Sequence, residues 1–592
     1  MLASVVHSGG RDAAANVLRR ANRVAGAPSA LGGEGGAVVG AWQSSLQPKT
    51  ERGCAVEGWI EGPWPPKPDV DSLHFSSILR ARGDFSFMAA TEQGLFLCSG
   101  PAGGHRPIFI VAGRDWAAAS TQLRVVLALL GERPRLDFDY MASSTLIHYP
   151  TEATATPYRG IDHVPLGEAW LLRPGGDKQR FSTLGNPPND ELQAADGALA
   201  QVLRNAVEEA VRRSTCGATK VGVMLSGGLD SSSVLLTLDR MRRTGRLSLP
   251  TEAFSWEFDA PEPGDDRPYR RAVEREWGRR SCPVLPEEAG EFVRRAMVLD
   301  ATPCTDTPCA LWIALDRAAQ RRGVDRLLTG VGGDNVLEGD PTLFGALALR
   351  GQLREAARRA VGLRMASRPS TWWRLHQLIL RPAVRAMFPA PLLAAYRRGA
   401  WRLGRDWMGP RLKTWMRERA GRAATPSITL DSSPAERYVA LATMPFIADM
   451  AFIRAQQEEV TKCHRSDPLF DDGLLRVVAS FPPLSLMSGG YLRGLFREAM
   501  SDRLPELVRT RQSKAYMEPA LARMVEASGG FRQFEDLGRV RRLADLGLVE
   551  PRHFARHFQA LVHRPLEAVW VGTWQPLAME EFLRQYDEGW TS

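Results

Sequence analysis

Residues 221–236 read VGVMLSGGLDSSSVLL, and this stretch constrains the fold more than any other in the chain. Residues 220–225 form a short apolar run with the length of a buried strand, which stops at Ser226-Gly227-Gly228. Over 231–243, Val234, Leu235, Leu238 and Met241 fall on one stripe at helical spacing. A strand that turns through glycines straight into a helix is half of a crossover unit, and crossover units build parallel sheets. Residues 253–258 read as a second strand. Residues 325–330 read as a third, which feeds another glycine-rich loop, TGVGGDNVLEGD, at 329–340.

The first turn also suits an anion. Backbone N–H groups converge at the start of a helix, where the dipole adds positive potential. Gly227 and Gly228 let the backbone approach a phosphate closely, and Ser226, Ser231 and Ser232 add hydroxyl donors. Asp230 is out of place in an anion cradle unless a cation bridges it to the phosphates. Mg2+ fits that role, because it binds few carboxylates together with phosphate oxygens. No Walker pattern, with its lysine after the second glycine, occurs in the chain. A turn that merely joins strand to helix is the competing reading. The three hydroxyls and Asp230 in strand–loop–helix context weigh against it.

With 592 residues the chain exceeds what one hydrophobic core organises, so at least two domains are expected. Residues 1–185 read as short strands broken by Gly and Pro, among them 56–60, 85–88 and 94–98. LGNPPND, at 184–190, reads as a linker, and 192–213 as a long entry helix. From about 341 the pattern is mostly helical, and 350–419 is rich in Arg and Trp with few acids. That stretch is either a solvated helical surface or a groove for a peptide.

Composition excludes more than it assigns. No apolar run is long enough to span a bilayer, and the first residues lack a secretory pattern, so a cytoplasmic protein with no membrane span is expected. The net charge of +9 is compatible with nucleic acid, an acidic peptide or mere solubility. Without zinc-finger spacing or an RNA-recognition signature, no nucleic-acid partner is expected. Seven cysteines without a Cys-x-x-Cys pair read as free thiols. His553 and His557 share a helix face, but no acidic residue stands between them, so a surface or packing role is expected.

SGGLDSS resembles the pyrophosphate loop of the ATP pyrophosphatases, the group that contains the asparagine synthetases. The order of further segments extends the resemblance. Phe254-Ser255 resembles the strand end that meets the adenine nucleotide, and 329–340 the second phosphate-and-metal loop. SDPLFDDGLLRVVASFPP at 466–483 resembles the Pro-Phe-Leu-Asp helix entry, and 492–521 the C-terminal Leu-Pro…Arg…Lys segment. ARGDFSFMAATEQGLFLCSGPAGGHRPIFI and TPYRGIDHVPLGEAWLL resemble parts of the glutaminase domain that precedes such synthetases.

The resemblance implies an α/β chain in two parts: a degenerate glutaminase-like, Ntn-type sandwich over 1–185, then a parallel-sheet synthetase domain with a large helical part over 186–592. It implies ATP and Mg2+ as cofactors, with a substrate carboxylate converted to an acyl-adenylate that an amine attacks. Leu225, Ser226, Gly227, Gly228, Asp230, Ser231, Ser232, Phe254, Ser255, Gly330, Gly332 and Gly333 would hold the nucleotide. Asp230 and Asp334 would hold the metal. Lys514 in RQSKAYMEP matches the family's C-terminal lysine, and its ammonium would stabilise charge on the α-phosphate and on the oxyanion. It also stands out in a chain where only seven of 76 basic residues are lysine. Arg511 either contacts phosphate or flanks the loop.

The departures are as informative. A glutaminase of this class uses an N-terminal cysteine as nucleophile, and here Leu2 stands in that place, while Ser99-Gly100 replaces the turn's Arg-Asp. The first domain is therefore expected to be catalytically inactive, and the amine to arrive on the substrate. Two branches of the family share that loss, the β-lactam synthetases and the lasso peptide cyclases. Three residues before Asp334, asparagine synthetases usually carry Glu and β-lactam synthetases a catalytic Tyr, whereas this chain carries Val331. An alkyl amine titrating near ~10.4 benefits from a general base, while a peptide α-amine near ~7.7–8.0 has a far larger neutral fraction near pH 7 and needs one less. The sequence thus favours a lasso peptide cyclase, joining the N-terminal amine of a ribosomal precursor's core peptide to an Asp or Glu side chain. Such a branch implies a leader-binding protein and a leader protease as partners. A β-lactam synthetase-like ligase, a glutamine-hydrolysing asparagine synthetase homologue, and an inactive peptide-binding scaffold are the alternatives.

Overall fold

The computed structural model describes residues 2–9, 11–21, 30–32, 37–41, 49–51, 54–60, 78, 83–91, 93–100, 106–146, 154–184, 187–259, 265–365, 369–387, 406–419, 428–513, 517–563 and 572–589. The strands described in its first part are, in chain order, β1 (Leu2–His7), β2 (Ala30–Gly32), β3 (Ala37–Ala41), β4 (Lys49–Glu51), β5 (Cys54–Ile60), β6 (Gly83–Thr91), β7 (Gly94–Ser99), β8 (Ile108–Ala112), β9 (Trp116–Ser120), β10 (Ile161–Val164), β11 (Glu168–Leu172) and β12 (Lys178–Ser182). They form two antiparallel sheets, β10-β8-β9-β1-β3-β2 and β12-β11-β7-β6-β5-β4.

Period-two alternation explains how the sheets stack. In β6, Met88 and Ala90 face a core that also holds Val6, Ile108 and Ala119 of the other sheet. Phe85, Phe87 and Ala89 face a second core with Phe96, Cys98 and Leu171. The β6–β7 sheet is thus buried on both sides, so the aromatic runs at 85–88 and 94–98 read as strands from sequence.

The second part alternates strands and helices. Helix α1 (Asp196–Ser214) leads to β13 (Val221–Met224), α2 (Leu229–Arg243), β14 (Thr251–Trp256), α3 (Arg267–Trp277) and β15 (Cys282–Val284). A small hairpin, β16 (Val298–Leu299) and β17 (Thr302–Pro303), precedes α4 (Cys309–Arg321), β18 (Arg326–Leu328) and α5 (Gly333–Val336). After further helices come α6 (Pro445–Thr461), β19 (His464–Ser466), α7 (Asp472–Ala479) and α8 (Gly494–Ala499). The sheet runs β15-β14-β13-β18-β19, parallel throughout. From β13 the chain builds outward to β15 on one side, then returns to build β18 and β19 on the other. That reversal opens a crevice at the carboxyl ends of β13 and β18.

Three element bounds differ from the sequence expectation by two to four residues, each for a local reason. Leu192 stays outside α1 because its N–H donates to the Ser480 carbonyl at 2.8 Å. Helix α2 starts at Leu229 rather than 231, directly after the extended Gly228. Strand β18 ends at Leu328, since the Thr329 hydroxyl donates to Asp467 and draws the chain into the loop.

One apolar cluster packs α1, β13, α2, α7 and α8 together through Leu203, Val223, Leu235, Leu475 and Phe496. Another joins the two parts of the chain, with Val5 and Val126 in one cluster with Ala310, Leu521 and Phe582. A buried ion pair between Arg106 and Glu458, 3.3 Å, crosses the same boundary. No described helix is long and apolar enough to cross a membrane.

Candidate active site

The crevice is walled by the two loops that the sequence singled out. After β13, Leu225 donates its N–H to the Phe254 carbonyl at 2.8 Å, which ties the loop to β14. Gly227 then adopts φ 79°, and a Cβ there would lie 2.5 Å from the Arg270 backbone nitrogen, so only glycine fits. The loop is closed by its own hydroxyls: Ser226 Oγ and Ser231 Oγ lie 3.0 Å apart, and Gly228 N–H donates to Ser226 Oγ at 3.2 Å. No side chain caps the start of α2. Its first N–H groups are therefore aimed at the crevice with the helix dipole behind them.

The second loop packs directly on the first. A Cβ on Gly330 would meet the Ser231 nitrogen at 2.5 Å, and one on Gly333 would meet Asp230 Cγ at 2.3 Å. Gly332, at φ 102°, lies against the Phe470 ring. These glycines are spacers that bring Asp334, in the first turn of α5, close to Asp230, in the first turn of α2.

Arg493 joins the two carboxylates. Its Nη1 lies 2.7 Å from Asp230 Oδ2 and 2.7 Å from Asp334 Oδ1. Asp230 is the more buried of the two, 18% exposed against 43% for Asp334. Burial pushes the Asp230 carboxyl up to about 6, with Arg493 opposing and Asp334 adding to the rise. Burial, and then the neighbouring Arg493, hold the Arg497 guanidinium down at about 10. Asp230 Oδ1 is buried without a hydrogen-bond partner among the described residues. A buried carboxylate with one oxygen unpartnered and the other sharing Arg493 with a second carboxylate fits a divalent cation such as Mg2+. No group of three or more His, Cys, Asp or Glu side chains suited to a metal occurs among the described residues. A cation here would therefore need further ligands from outside the protein, as phosphate oxygens and water supply.

Beyond the loops lies a cavity of about 250 Å3. Of the residues expected at the nucleotide, Leu225, Ser226, Gly228, Asp230, Ser231, Phe254 and Gly330 line it, as does Val331. Gly227, Gly332 and Gly333 stand behind the wall as spacers. Ser255 and Ser232 are also off the wall: Ser255 points to the other side of β14 from Phe254, and Ser232 is fully buried in α2. Lys514 lies outside the described residues. Arg511 is described, and it is engaged elsewhere: its guanidinium pairs with Asp266 and stacks 3.9 Å over the Tyr269 ring.

Sequence reasoning missed the apolar end of the cavity, Trp256, Phe258, Trp312 and Met517. Trp256 and Phe258 follow Phe254 at the period-two spacing of a strand, a signal that was available, whereas Trp312 and Met517 come from distant segments. It also passed over Arg493, although Arg493 sits in a quoted segment. The available signal was electrostatic: two carboxylates converging at helix starts need a counter-charge. Overall the site has an aromatic end, a hydroxyl and N–H turn, and a paired-carboxylate end. That sequence of environments suits a base, a polyphosphate and a bridging cation.

A family model described as asparagine synthase matches residues 202–584. No curated protein matches the chain. Among solved structures, glutamine phosphoribosylpyrophosphate amidotransferase from B. subtilis, complexed with ADP and GMP, shares 12% identity over 56% of this chain and 81% of its own, with a TM-score of 0.19. The U34-tRNA thiolase NcsA from Methanococcus maripaludis, with its 4Fe–4S cluster, shares 14% identity over 41% of this chain and 85% of its own, with a TM-score of 0.18. A structure of the allosteric regulatory enzyme of purine biosynthesis shares 11% identity over 60% of this chain and 78% of its own, with a TM-score of 0.20.

Proposed function

The chain belongs to the asparagine synthase family, and from that premise we propose that this ATP-dependent amide ligase closes a peptide macrolactam. The substrate's Asp or Glu carboxylate attacks the α-phosphate of ATP, giving an acyl-adenylate and pyrophosphate. The peptide's own N-terminal amine then attacks the acyl carbon, forming the isopeptide bond and releasing AMP and a proton. The net change in the peptide is the loss of one water.

Each part has a residue basis. The aromatic end, Phe254 with Trp256 and Trp312, takes the base. The start of α2, with Ser226 and Ser231, takes the pyrophosphate. Asp230 and Asp334 would hold Mg2+, which supplies charge neutralisation to the leaving pyrophosphate. Lys514 is assigned the developing charge on the α-phosphate and oxyanion.

The observation that carries the macrolactam reading is Val331, which lines the cavity from within the second loop and offers no proton acceptor. A site without a base there suits an α-amine, of which on the order of a tenth is already neutral near pH 7, better than an alkyl amine, of which less than about a thousandth is. The first part of the chain supplies no alternative amine. Its two cysteines, Cys54 and Cys98, are buried, and burial pushes the Cys98 thiol far up, so neither is a nucleophile for glutamine. A precursor peptide, with a leader-binding protein and a leader protease, is the partner set this reading calls for. The exposed Trp372 and Trp373 within the basic 350–419 stretch are the surface assigned to the peptide.

The test compares a core peptide with a free N-terminus and the same peptide N-acetylated, each with ATP and Mg2+. Both should support AMP release, and only the free amine should give the peptide lacking one water. Equal dehydration of the acetylated peptide would exclude attack by the N-terminal amine.

A further inference from the structure

Arg493 meets both carboxylates of the crevice through a single atom of its guanidinium. One nitrogen, Nη1, sits at 2.7 Å from an oxygen of each Asp. A metal bridging Asp230 and Asp334 would need the same position, so the guanidinium and the metal exclude one another there. The backbone of Arg493 is anchored. Its N–H donates to the Glu338 carbonyl at 3.0 Å, and it holds φ 57°, a conformation that costs a non-glycine residue strain. The head is held less firmly. Nε is buried without a hydrogen-bond partner among the described residues, so no further contact of that nitrogen fixes the guanidinium on the carboxylates. A charged head on a fixed stem, held by the two groups that a metal would take, can be released only toward another anion. The nearest place for one is the uncapped start of α2, which begins with Leu229-Asp230.

We propose that Arg493 is a built-in counter-ion that occupies the metal position until a nucleoside triphosphate arrives, and then moves onto its phosphates as a positioning residue. The inference rests on the nucleotide-and-metal reading of the crevice. Its consequence is coupling: metal and nucleotide enter together, because each removes what keeps the other out. An empty crevice holding ATP-competent carboxylates at rest would otherwise bind free divalent metal unproductively.

The test reads metal binding without turnover. Free Mn2+ is titrated by electron paramagnetic resonance into wild type, Arg493→Gln and Arg493→Gln/Asp334→Asn, with no nucleotide present. The Gln variant should bind Mn2+ at least ~10-fold tighter than wild type, since a unit charge a few ångströms away is removed, and the double variant should lose the gain. In EDTA, α,β-methylene-ATP should bind the Gln variant at least ~10-fold more weakly than wild type. Equal Mn2+ affinity in wild type and the Gln variant, with binding still lost on Asp334→Asn, overturns the role of Arg493 and leaves the metal site standing. No bound Mn2+ in any form, with or without nucleotide, overturns the metal reading and this inference with it. If the Gln variant does not fold, Arg493→Lys carries the test. Its shorter, unforked head holds the carboxylates less firmly, so free Mn2+ must still bind tighter than to wild type, and equal affinity overturns the inference.

Discussion

Asp230→Asn should abolish AMP formation while making the metal-free protein more stable near neutral pH. The carboxyl titrates at about 6 in the fold against an ordinary value of 3.8, chiefly because it is buried. A folded value above the unfolded one means that the folded state holds the proton more tightly. The associated stability is therefore complete below about 3.8 and is lost as pH rises through about 6. Roughly two units of displacement correspond to about 3 kcal/mol at pH 7.5. The attraction of Arg493 is already contained in that figure, since it acts on the same carboxyl. Asparagine has nearly the same shape and stays neutral, so it does not incur the loss. Urea unfolding in EDTA, followed by tryptophan fluorescence, should show the variant ahead at pH 7.5. The lead should shrink by more than ~1 kcal/mol at pH 5. A variant that is less stable than wild type at pH 7.5 would refute the reasoning, because the Asp230–Arg493 pair would then hold the fold together.

Gly333→Ala tests the spacer argument: its Cβ would press within 2.3 Å of Asp230 Cγ, so AMP formation should fall by at least ~100-fold while the circular dichroism spectrum is unchanged. Arg511→Ala should cost about 1–3 kcal/mol in a urea titration, because it removes the charged partner of the half-buried Asp266 carboxylate, and Asp266→Asn in the same chain should recover part of that loss. Lys514→Met should slow the dehydration of a peptide by ~10²–10³ with little change in calorimetric peptide affinity, the pattern of a group that acts on developing charge.

Much of the crevice was legible in the sequence because its two loops are local. A strand, a glycine turn and a helix are specified within sixteen consecutive residues, and the glycines mark where two backbones meet. The parallel sheet followed from the same units. What the sequence did not show depends on distant pairings. Trp256 and Trp312 reach one cavity only because β14 and α4 lie against each other in the fold. Arg493 reaches Asp230 across 263 residues of chain. Ser255 was expected at the nucleotide from its place beside Phe254, yet strand alternation turns it to the opposite side. Arg511 illustrates a pairing that spacing could not show: it meets Asp266, which lines the cavity, across 245 residues of chain.

The most direct test of the central claim is a stoichiometry measured with glutamine and ammonia absent. The protein is incubated with ATP, Mg2+ and a candidate core peptide that has a free N-terminus and an Asp or Glu side chain, and AMP, pyrophosphate and peptide mass are followed together. The account predicts one AMP and one pyrophosphate for each peptide that loses one water, and no glutamate release when glutamine is later added. Amide formation that requires glutamine or ammonia, with the peptide mass unchanged, would contradict it.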